Sequence, residues 1–208
     1  MEPSLLITFL PLAIIFVIAW AITRVIKKVA KKYPPVAPEQ STVSGVGGWL
    51  LFLIIGLMFL GPLMGAARIN SDIMSTESVY PNLKTVALWS TYKSATWCIF
   101  LFVACLGFYA GLGLVKGRTT AIVNRAKIII WIIGPASGLI LGVFLPIFIF
   151  GKFEPTTQFV GGVIASVIFA LIWTGYLSNS KRVRATYGYK MPITKEHIPS
   201  DTDLGASS

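Results

Sequence analysis

The sequence predicts an all-α integral membrane bundle of five transmembrane helices, with the N-terminus outside and the C-terminus in the cytoplasm. Overall hydropathy, the length of the apolar runs and the placement of basic residues support this prediction. The chain is 55% hydrophobic and only 12% charged, with a mean hydropathy of +0.75. A helix needs about 20 mostly apolar residues to cross the hydrocarbon core. Five runs are that long: 5–26, 48–66, 95–115, 128–150 and 159–177.

The first run is interpreted as a retained span because its basic residues follow the apolar stretch. A secretory signal peptide carries its positive charge before the apolar core. In this chain, the charged side chain among residues 1–4 is acidic. Residues 1–33 are therefore predicted to form an extra N-terminal transmembrane helix with a basic cytoplasmic end. The prolines and glycines of residues 34–47 predict a non-helical linker.

The distribution of lysine and arginine predicts the orientation. Segments 24–47, 116–127 and 178–208 contain fourteen of the eighteen basic residues. All three segments lie on the same side of a five-span bundle. Cytoplasmic loops are enriched in lysine and arginine, so this side is predicted to face the cytoplasm.

The remaining segments are predicted from polarity. Residues 48–188 form a four-helix membrane domain with an outer loop at 67–94. Within that loop, residues 80–92 show near-helical spacing of apolar residues, which predicts either a short amphipathic surface helix or an ordered loop that caps the bundle. The polar tail, 189–208, is predicted to be disordered. It contains His197, the only histidine.

Small residues within the spans predict where helices approach closely, because helix association in lipid depends on backbone packing at such positions. These positions are expected to form the bundle interior, and a homodimer interface is the alternative. The predicted packing residues are Gly107, Gly111, Gly134, Gly138, Gly142, Gly162 and Ser166. Prolines are expected to kink the spans, most of all at Gly61-Pro62 and Gly134-Pro135.

Aromatic and basic residues at the span ends are predicted to anchor the helices and to contact anionic lipid headgroups. Setting orientation is the main expected role, and recognition of a specific lipid or a protein partner is the alternative. The residues assigned to this set are Trp49, Trp173, Lys27, Lys28, Lys31, Lys32, Lys181, Arg182 and Arg184.

The chemistry expected of an enzyme or an ion-coupled carrier is missing from the sequence pattern. No ionisable residue lies at mid-depth of a predicted span, and no clustered histidine, cysteine and carboxylate residues predict a metal site. Cys98 and Cys105 are interpreted as buried core residues, too far apart along one helix for a disulfide. We therefore expect no cofactor, no catalysis and no nucleic-acid partner. The net charge of +10 flanks apolar runs and forms no separate basic domain.

Two local motifs resemble a known family. The first, Gly45-Val-Gly-Gly-Trp-Leu-Leu51, opens the second span and is called the entry motif below. The second, the exit motif, follows Trp173-x-x-Tyr176 and reads Ser180-Lys-Arg-Val-Arg-Ala-Thr-Tyr187. Together they resemble the bacterial domain-of-unknown-function family 2569, small inner-membrane proteins with about four spans, over roughly residues 44–188. The resemblance implies the membrane fold but no catalytic or binding residues.

The expected function is a non-catalytic accessory or assembly subunit of a membrane complex, with a protein partner or a second copy of the chain. The alternative is a transporter or channel for a small or lipid-like solute. The small-residue packing positions favour the first, and the proline-glycine pairs favour the second.

Overall fold

The computed structural model describes residues 20–35, 45–152 and 157–188, together with Val17. The described ranges contain six helices and no strand. They are α1 (20–31), α2 (Gly48–Val79), α3 (Ala87–Lys116), α4 (Thr120–Phe150), α5 (Thr157–Asn179) and α6 (Lys181–Tyr187). A 3₁₀ turn, Pro81–Thr85, joins α2 to α3. The linker residues 36–44 and the tail from residue 189 lie outside the described residues.

Helices α2 to α5 are each long and apolar enough to cross a membrane, with 32, 30, 31 and 23 residues respectively. These four helices confirm four of the predicted spans and indicate a membrane protein. Of the first predicted span, 5–26, only Val17 and residues 20–26 are described. The count of five spans therefore stays a prediction.

The predicted outer loop, 67–94, is mostly helical. Helix α2 continues to Val79 and α3 begins at Ala87, so the true connection is seven residues long. Extended backbone at Val86 separates the 3₁₀ turn from α3, and residues 80–92 therefore do not form one amphipathic helix. Hydropathy marks only the part of a helix that contacts lipid, which is why the apolar runs ended too early.

Residues 67–94 form a helical hairpin, called the hairpin below, which is held by one acidic side chain. The Glu77 carboxylate accepts hydrogen bonds from Trp89 Nε1 at 3.0 Å and from Lys93 Nζ at 2.7 Å. In α2, the hydroxyls of Ser75 and Thr76 donate hydrogen bonds to the Asp72 carbonyl, so these polar side chains find their partners within the helix. These contacts keep a charged segment helical.

The prolines widen the helices without ending them. A π-helical segment, Gly56–Leu60, directly precedes the Gly61-Pro62 pair, and Pro135 lies within Ile132–Ala136. A third segment, Ile140–Phe144, precedes Pro146. Proline lacks an N–H and its ring collides with the carbonyl four residues back. A π turn pairs each carbonyl one residue further along, which accommodates the ring while the helix continues.

Several predicted packing residues lie at helix contacts. A Cβ at Gly107 would come within 2.8 Å of the Leu57 carbonyl oxygen, and one at Gly111 within 2.9 Å of Met58 Sδ. Helix α3 therefore meets the π-helical segment of α2 at Gly107 and Gly111. Gly134 lies against Ser166 of α5, since its Cβ would be 3.7 Å from the Ser166 carbonyl oxygen.

The other predicted packing glycines have different surroundings. Gly142 lies under the ring of Phe159, and Gly162 lies beside the Arg68 guanidinium. A Cβ at Gly138 would meet no atom within 4 Å among the described residues.

Cys98 and Cys105 were expected to be buried in the core, and this was wrong, because both are exposed on α3. Neither forms a disulfide, as expected. Gly107 and Gly111 turn one face of α3 towards α2. Cys105, two residues before Gly107, consequently points away from that contact.

The described lysines and arginines divide between the two ends of the bundle. The end carrying the entry and exit motifs is called the basic end, and the opposite end carries the hairpin. Twelve cations occupy the basic end: Arg24, Lys27, Lys28, Lys31, Lys32, Lys116, Arg118, Arg125, Lys127, Lys181, Arg182 and Arg184. The most deeply buried side chains also cluster there, including Leu50, Leu114, Leu177 and Tyr187.

We predict that Gly107→Ala destabilises the protein by about 1–3 kcal/mol, the usual cost of overpacking a close contact. The new methyl group would press against the Leu57 carbonyl, which belongs to a helix backbone and cannot rotate away. Thermal denaturation in detergent, followed by circular dichroism, measures the loss.

Gly138→Ala is the matched control, since its methyl group meets nothing within 4 Å and alanine has the higher helix propensity. Equal melting temperatures for the two variants would contradict the close contact between α2 and α3.

Candidate functional site at the basic end of the bundle

The entry and exit motifs, which lie far apart in the sequence, are in direct contact. The Thr186 side chain is fully buried, and its Oγ1 accepts a hydrogen bond from the Gly45 backbone N–H at 3.0 Å. The same hydroxyl donates to the Arg182 carbonyl at 2.7 Å within α6. Gly45 has a φ of +84°, in the left-handed region that favours glycine. Thr186 therefore joins α6 to the start of the second span.

Arg182 covers the glycines of the entry motif. A Cβ at Gly47 would lie 2.8 Å from Arg182 Nη1, and one at Gly48 would lie 3.8 Å from Arg182 Cζ. The absence of side chains at these two positions makes room for the guanidinium. No side-chain hydrogen bond caps the N-terminus of α2 at Gly47.

Tyr187 fixes the end of the exit motif in the core. Its side chain is 1% exposed, and its hydroxyl donates a hydrogen bond to the Leu114 carbonyl near the end of α3 at 2.5 Å. Burial raises the pKa of the Tyr187 phenol well above its usual range. The phenol is consequently a neutral hydrogen-bond donor at physiological pH.

Arg118 connects the ends of two helices. Its Nη1 donates to the carbonyls of Val115 at 3.0 Å and Gly117 at 2.6 Å, just after α3. Its Nη2 and Nε donate to the Tyr33 carbonyl, just after α1, at 2.7 and 3.1 Å. Desolvation lowers the pKa of the Arg118 guanidinium from its ordinary value. Carbonyl oxygens at helix C-termini are good partners for a cation.

Helix α1 also contributes apolar contacts. Ile26 and Ala30 are 5% and 8% exposed and belong to the same core cluster as Leu114 and Tyr187. One face of α1 therefore packs on the bundle. Its three lysines, Lys27, Lys28 and Lys31, are exposed, as is Lys32, which directly follows it.

Five aromatic rings meet beside the entry motif. The buried ring of Trp173 has its centroid 6.4 Å from Trp49, 6.1 Å from Phe52, 6.0 Å from Phe169 and 5.6 Å from Tyr176. Trp49 is 69% exposed and Phe52 is 51% exposed, whereas Trp173 is 6% exposed. Trp173 was predicted to be an anchor at the membrane interface. Its ring is buried instead, because neighbouring rings cover it.

The part of the chain that matches a known protein family begins and ends at these contacts. Residues 43–188 match the family described as "Protein of unknown function (DUF2569)". The chain belongs to this family. The DUF2569 region begins just before Gly45 and ends just after Tyr187, so the two contacting motifs are its two ends. No curated protein and no solved structure matched the chain.

The α1 helix lies outside the DUF2569 region. Arg118, inside that region, donates to the Ala30 and Tyr33 carbonyls of α1 and the residues after it. The sequence interpretation did not single out Arg118. A basic residue directly after a long helix is the signal that could have identified it, because cations often pair with terminal carbonyls.

The remaining predicted basic residues of the DUF2569 region differ in their surroundings. Lys181 is exposed. Arg184 is half-buried, and its Nη2 donates to the Asn179 carbonyl at 3.3 Å, while its buried Nε lacks a partner among the described residues. Arg182 is half-buried over Gly47 and Gly48.

A cleft of about 30 Å³ lies between α3 and α4, lined in part by Tyr109, Gly113, Ile122 and Arg125. This volume is enough for about one or two water molecules. Among the described residues, no group of three or more histidine, cysteine or acidic side chains could hold a metal ion.

We predict that Thr186→Val lowers the free energy of unfolding by about 1–2 kcal/mol, because it leaves the Gly45 N–H without its partner in a partly buried site. Thermal denaturation in detergent measures the change. Thr186→Ser, which retains the hydroxyl, serves as the control, and equal losses in the two variants would contradict a role for this hydrogen bond.

We predict that Arg118→Gln loosens α1 while the DUF2569 region stays folded. The substitution removes the charged donors to the Tyr33 and Ala30 carbonyls. Amide hydrogen exchange across residues 20–35 should become at least about tenfold faster, since local opening sets that rate.

Arg125→Gln is the control, because this exposed side chain also carries one charge at the basic end. Unchanged exchange across residues 20–35 in the Arg118 variant would show that α1 is held by its apolar contacts alone.

Proposed function

We propose that this chain is a non-catalytic multi-pass membrane protein that acts as an accessory or assembly subunit of a larger membrane complex. One observation carries the proposal. Arg118, Thr186 and Tyr187, the polar side chains best placed for chemistry at the basic end, all bond to the backbone of neighbouring segments. Their hydrogen-bonding capacity holds helices together, as a structural component requires.

The hairpin supports a role in protein assembly. Helix α2 continues for about 13 residues beyond Ala66, or roughly 20 Å at 1.5 Å per residue. At its tip, Val79 and Tyr80 are 66% and 62% exposed, and Leu88 is 53% exposed. An arm braced by Glu77 that presents apolar and tyrosine side chains is suited to contact another protein.

We place the protein in a bacterial inner membrane with five spans, the N-terminus outside and the C-terminus in the cytoplasm. The support is the charge distribution, because twelve described cations lie at the basic end and cytoplasmic loops are enriched in lysine and arginine. In this orientation the basic end meets the cytoplasmic leaflet and the hairpin extends outside. The partner is another membrane protein or a second copy of the chain.

A transporter or channel for a small or lipid-like solute is the second candidate. The observation that favours it is the set of three π-helical segments in α2 and α4, because such segments often occur at functional sites. All three form packing contacts instead, the first with α3 and the other two with α5. These contacts favour a structural role for the segments.

The proposal predicts that a photoreactive p-benzoylphenylalanine in place of Tyr80 forms a crosslink to another protein in intact cells. Phe148, which is 88% exposed within α4, is the matched control position and should contact lipid. Purification in a mild detergent with mass spectrometry of the adduct identifies the partner.

Recovery of the chain alone, with no protein adduct at position 80, would contradict the accessory role. Flux of a solute through proteoliposomes of that same preparation would then support the second candidate.

A further inference from the structure

Arg182 is the half-buried arginine whose guanidinium has no acceptor within the described part of the chain. Three arginines at the basic end are half-buried. Arg118 donates to carbonyls of Tyr33, Val115 and Gly117, and Arg184 donates to the Asn179 carbonyl. The Arg182 side chain instead lies on Gly47 and Gly48, which offer it space. Unpaired donors in a partly desolvated site are costly, so an acceptor from outside the chain is favourable.

Charge complementarity identifies the acceptor as an anion. The described carboxylates are Asp72 and Glu77, which lie near the hairpin end and contact Arg68 and Lys93 respectively. No described carboxylate therefore lies at the basic end. A guanidinium recognises phosphate through two parallel hydrogen bonds.

The aromatic rings that follow the glycines of the entry motif distinguish a lipid from free phosphate. Trp49 follows Gly48 directly, and Trp49 and Phe52 expose 69% and 51% of their surface while they pack on Trp173. Exposed rings one and four residues after Gly48, which Arg182 covers, provide an apolar surface for an acyl chain, while the guanidinium provides the charge for its headgroup. Inorganic phosphate would leave these rings unused.

We infer that Arg182, Trp49 and Phe52 form a binding site for one anionic phospholipid, with the phosphate on the guanidinium and an acyl chain along the two rings. The site lies where the entry and exit motifs meet. The exposed lysines of α1 contribute only general attraction, since water already solvates them. The inference is independent of the accessory role and of the orientation, because it depends only on contacts at the basic end.

Native mass spectrometry of the full chain in detergent tests the site. Phosphatidylglycerol is the anionic probe, and phosphatidylcholine, which has the same backbone and no net charge, is the comparison. The wild-type protein should retain phosphatidylglycerol in preference to phosphatidylcholine. Arg182→Gln should weaken phosphatidylglycerol binding about tenfold, as expected for a lost charge-assisted contact. Arg125→Gln, which removes one charge from an exposed side chain elsewhere at the basic end, should change it less than about twofold.

A second variant keeps the net charge. Gly47→Ala places a methyl group within 2.8 Å of Arg182 Nη1 and displaces the guanidinium, while the extended backbone at Gly47 accommodates alanine. It should lose the same preference, whereas Gly56→Ala, with no atom within 4 Å of its new methyl group, should keep it. Circular dichroism confirms that each variant is folded.

Three results would overturn the inference. The first is equal retention of the two lipids by the wild-type protein, which would mean that Arg182 has its acceptor within the chain. The second is equal loss in the Arg182 and Arg125 variants, which would mean a diffuse charge effect. The third is displacement of phosphatidylglycerol by inorganic phosphate at equal concentration, which would identify a free anion as the occupant.

Discussion

The contact between the entry and exit motifs is the constraint on which the basic end depends. Thr186 bonds to the Gly45 backbone, Arg182 lies on Gly47 and Gly48, and Tyr187 bonds to Leu114. These contacts join the first and last spans of the DUF2569 region through α6, a helix of seven residues. Such a short helix has little intrinsic stability in water. Its burial therefore depends on these tertiary contacts, and the position of Arg182 depends on them in turn.

The arrangement of the spans follows from helix contacts that differ between the two ends. Towards the basic end, Gly107 and Gly111 bring α3 onto α2, and large apolar side chains complete the core. At the hairpin end, one carboxylate, Glu77, receives two donors from α3. A partly buried charge pair with an added indole donor specifies one pairing of the two helices, since either donor without Glu77 would lose its partner. Close packing thus joins α2 and α3 towards the basic end, and polar pairing joins them at the hairpin end.

The spans of the family region and the family itself could be predicted from the sequence, whereas the helical extent of the hairpin could not. Hydropathy located α2 to α5, but it ended α2 at Ala66 instead of Val79, because a polar helix beyond the lipid has no apolar signal. The prolines indicated where the helices depart from regular α-helical geometry. The π-helical form could not be predicted, because it depends on which N–H group each carbonyl pairs with. Trp173 was predicted to be an anchor at the membrane interface, and its position in the sequence does not show that neighbouring rings bury it.

By itself, the sequence determined what local composition controls: four apolar spans, the segregation of cations to one end and the two motifs that identify the family. The first two follow from the transfer of side chains between water and lipid, which depends on residue type and spacing. Only the tertiary structure decided which polar groups have partners. Arg118, Arg182 and Arg184 are alike in the sequence, and they differ only because the fold brings carbonyl oxygens to two of them and glycines to the third. Hydrogen bonding requires particular atoms within about 3 Å, and residues more than a hundred positions apart meet that requirement only in the folded chain.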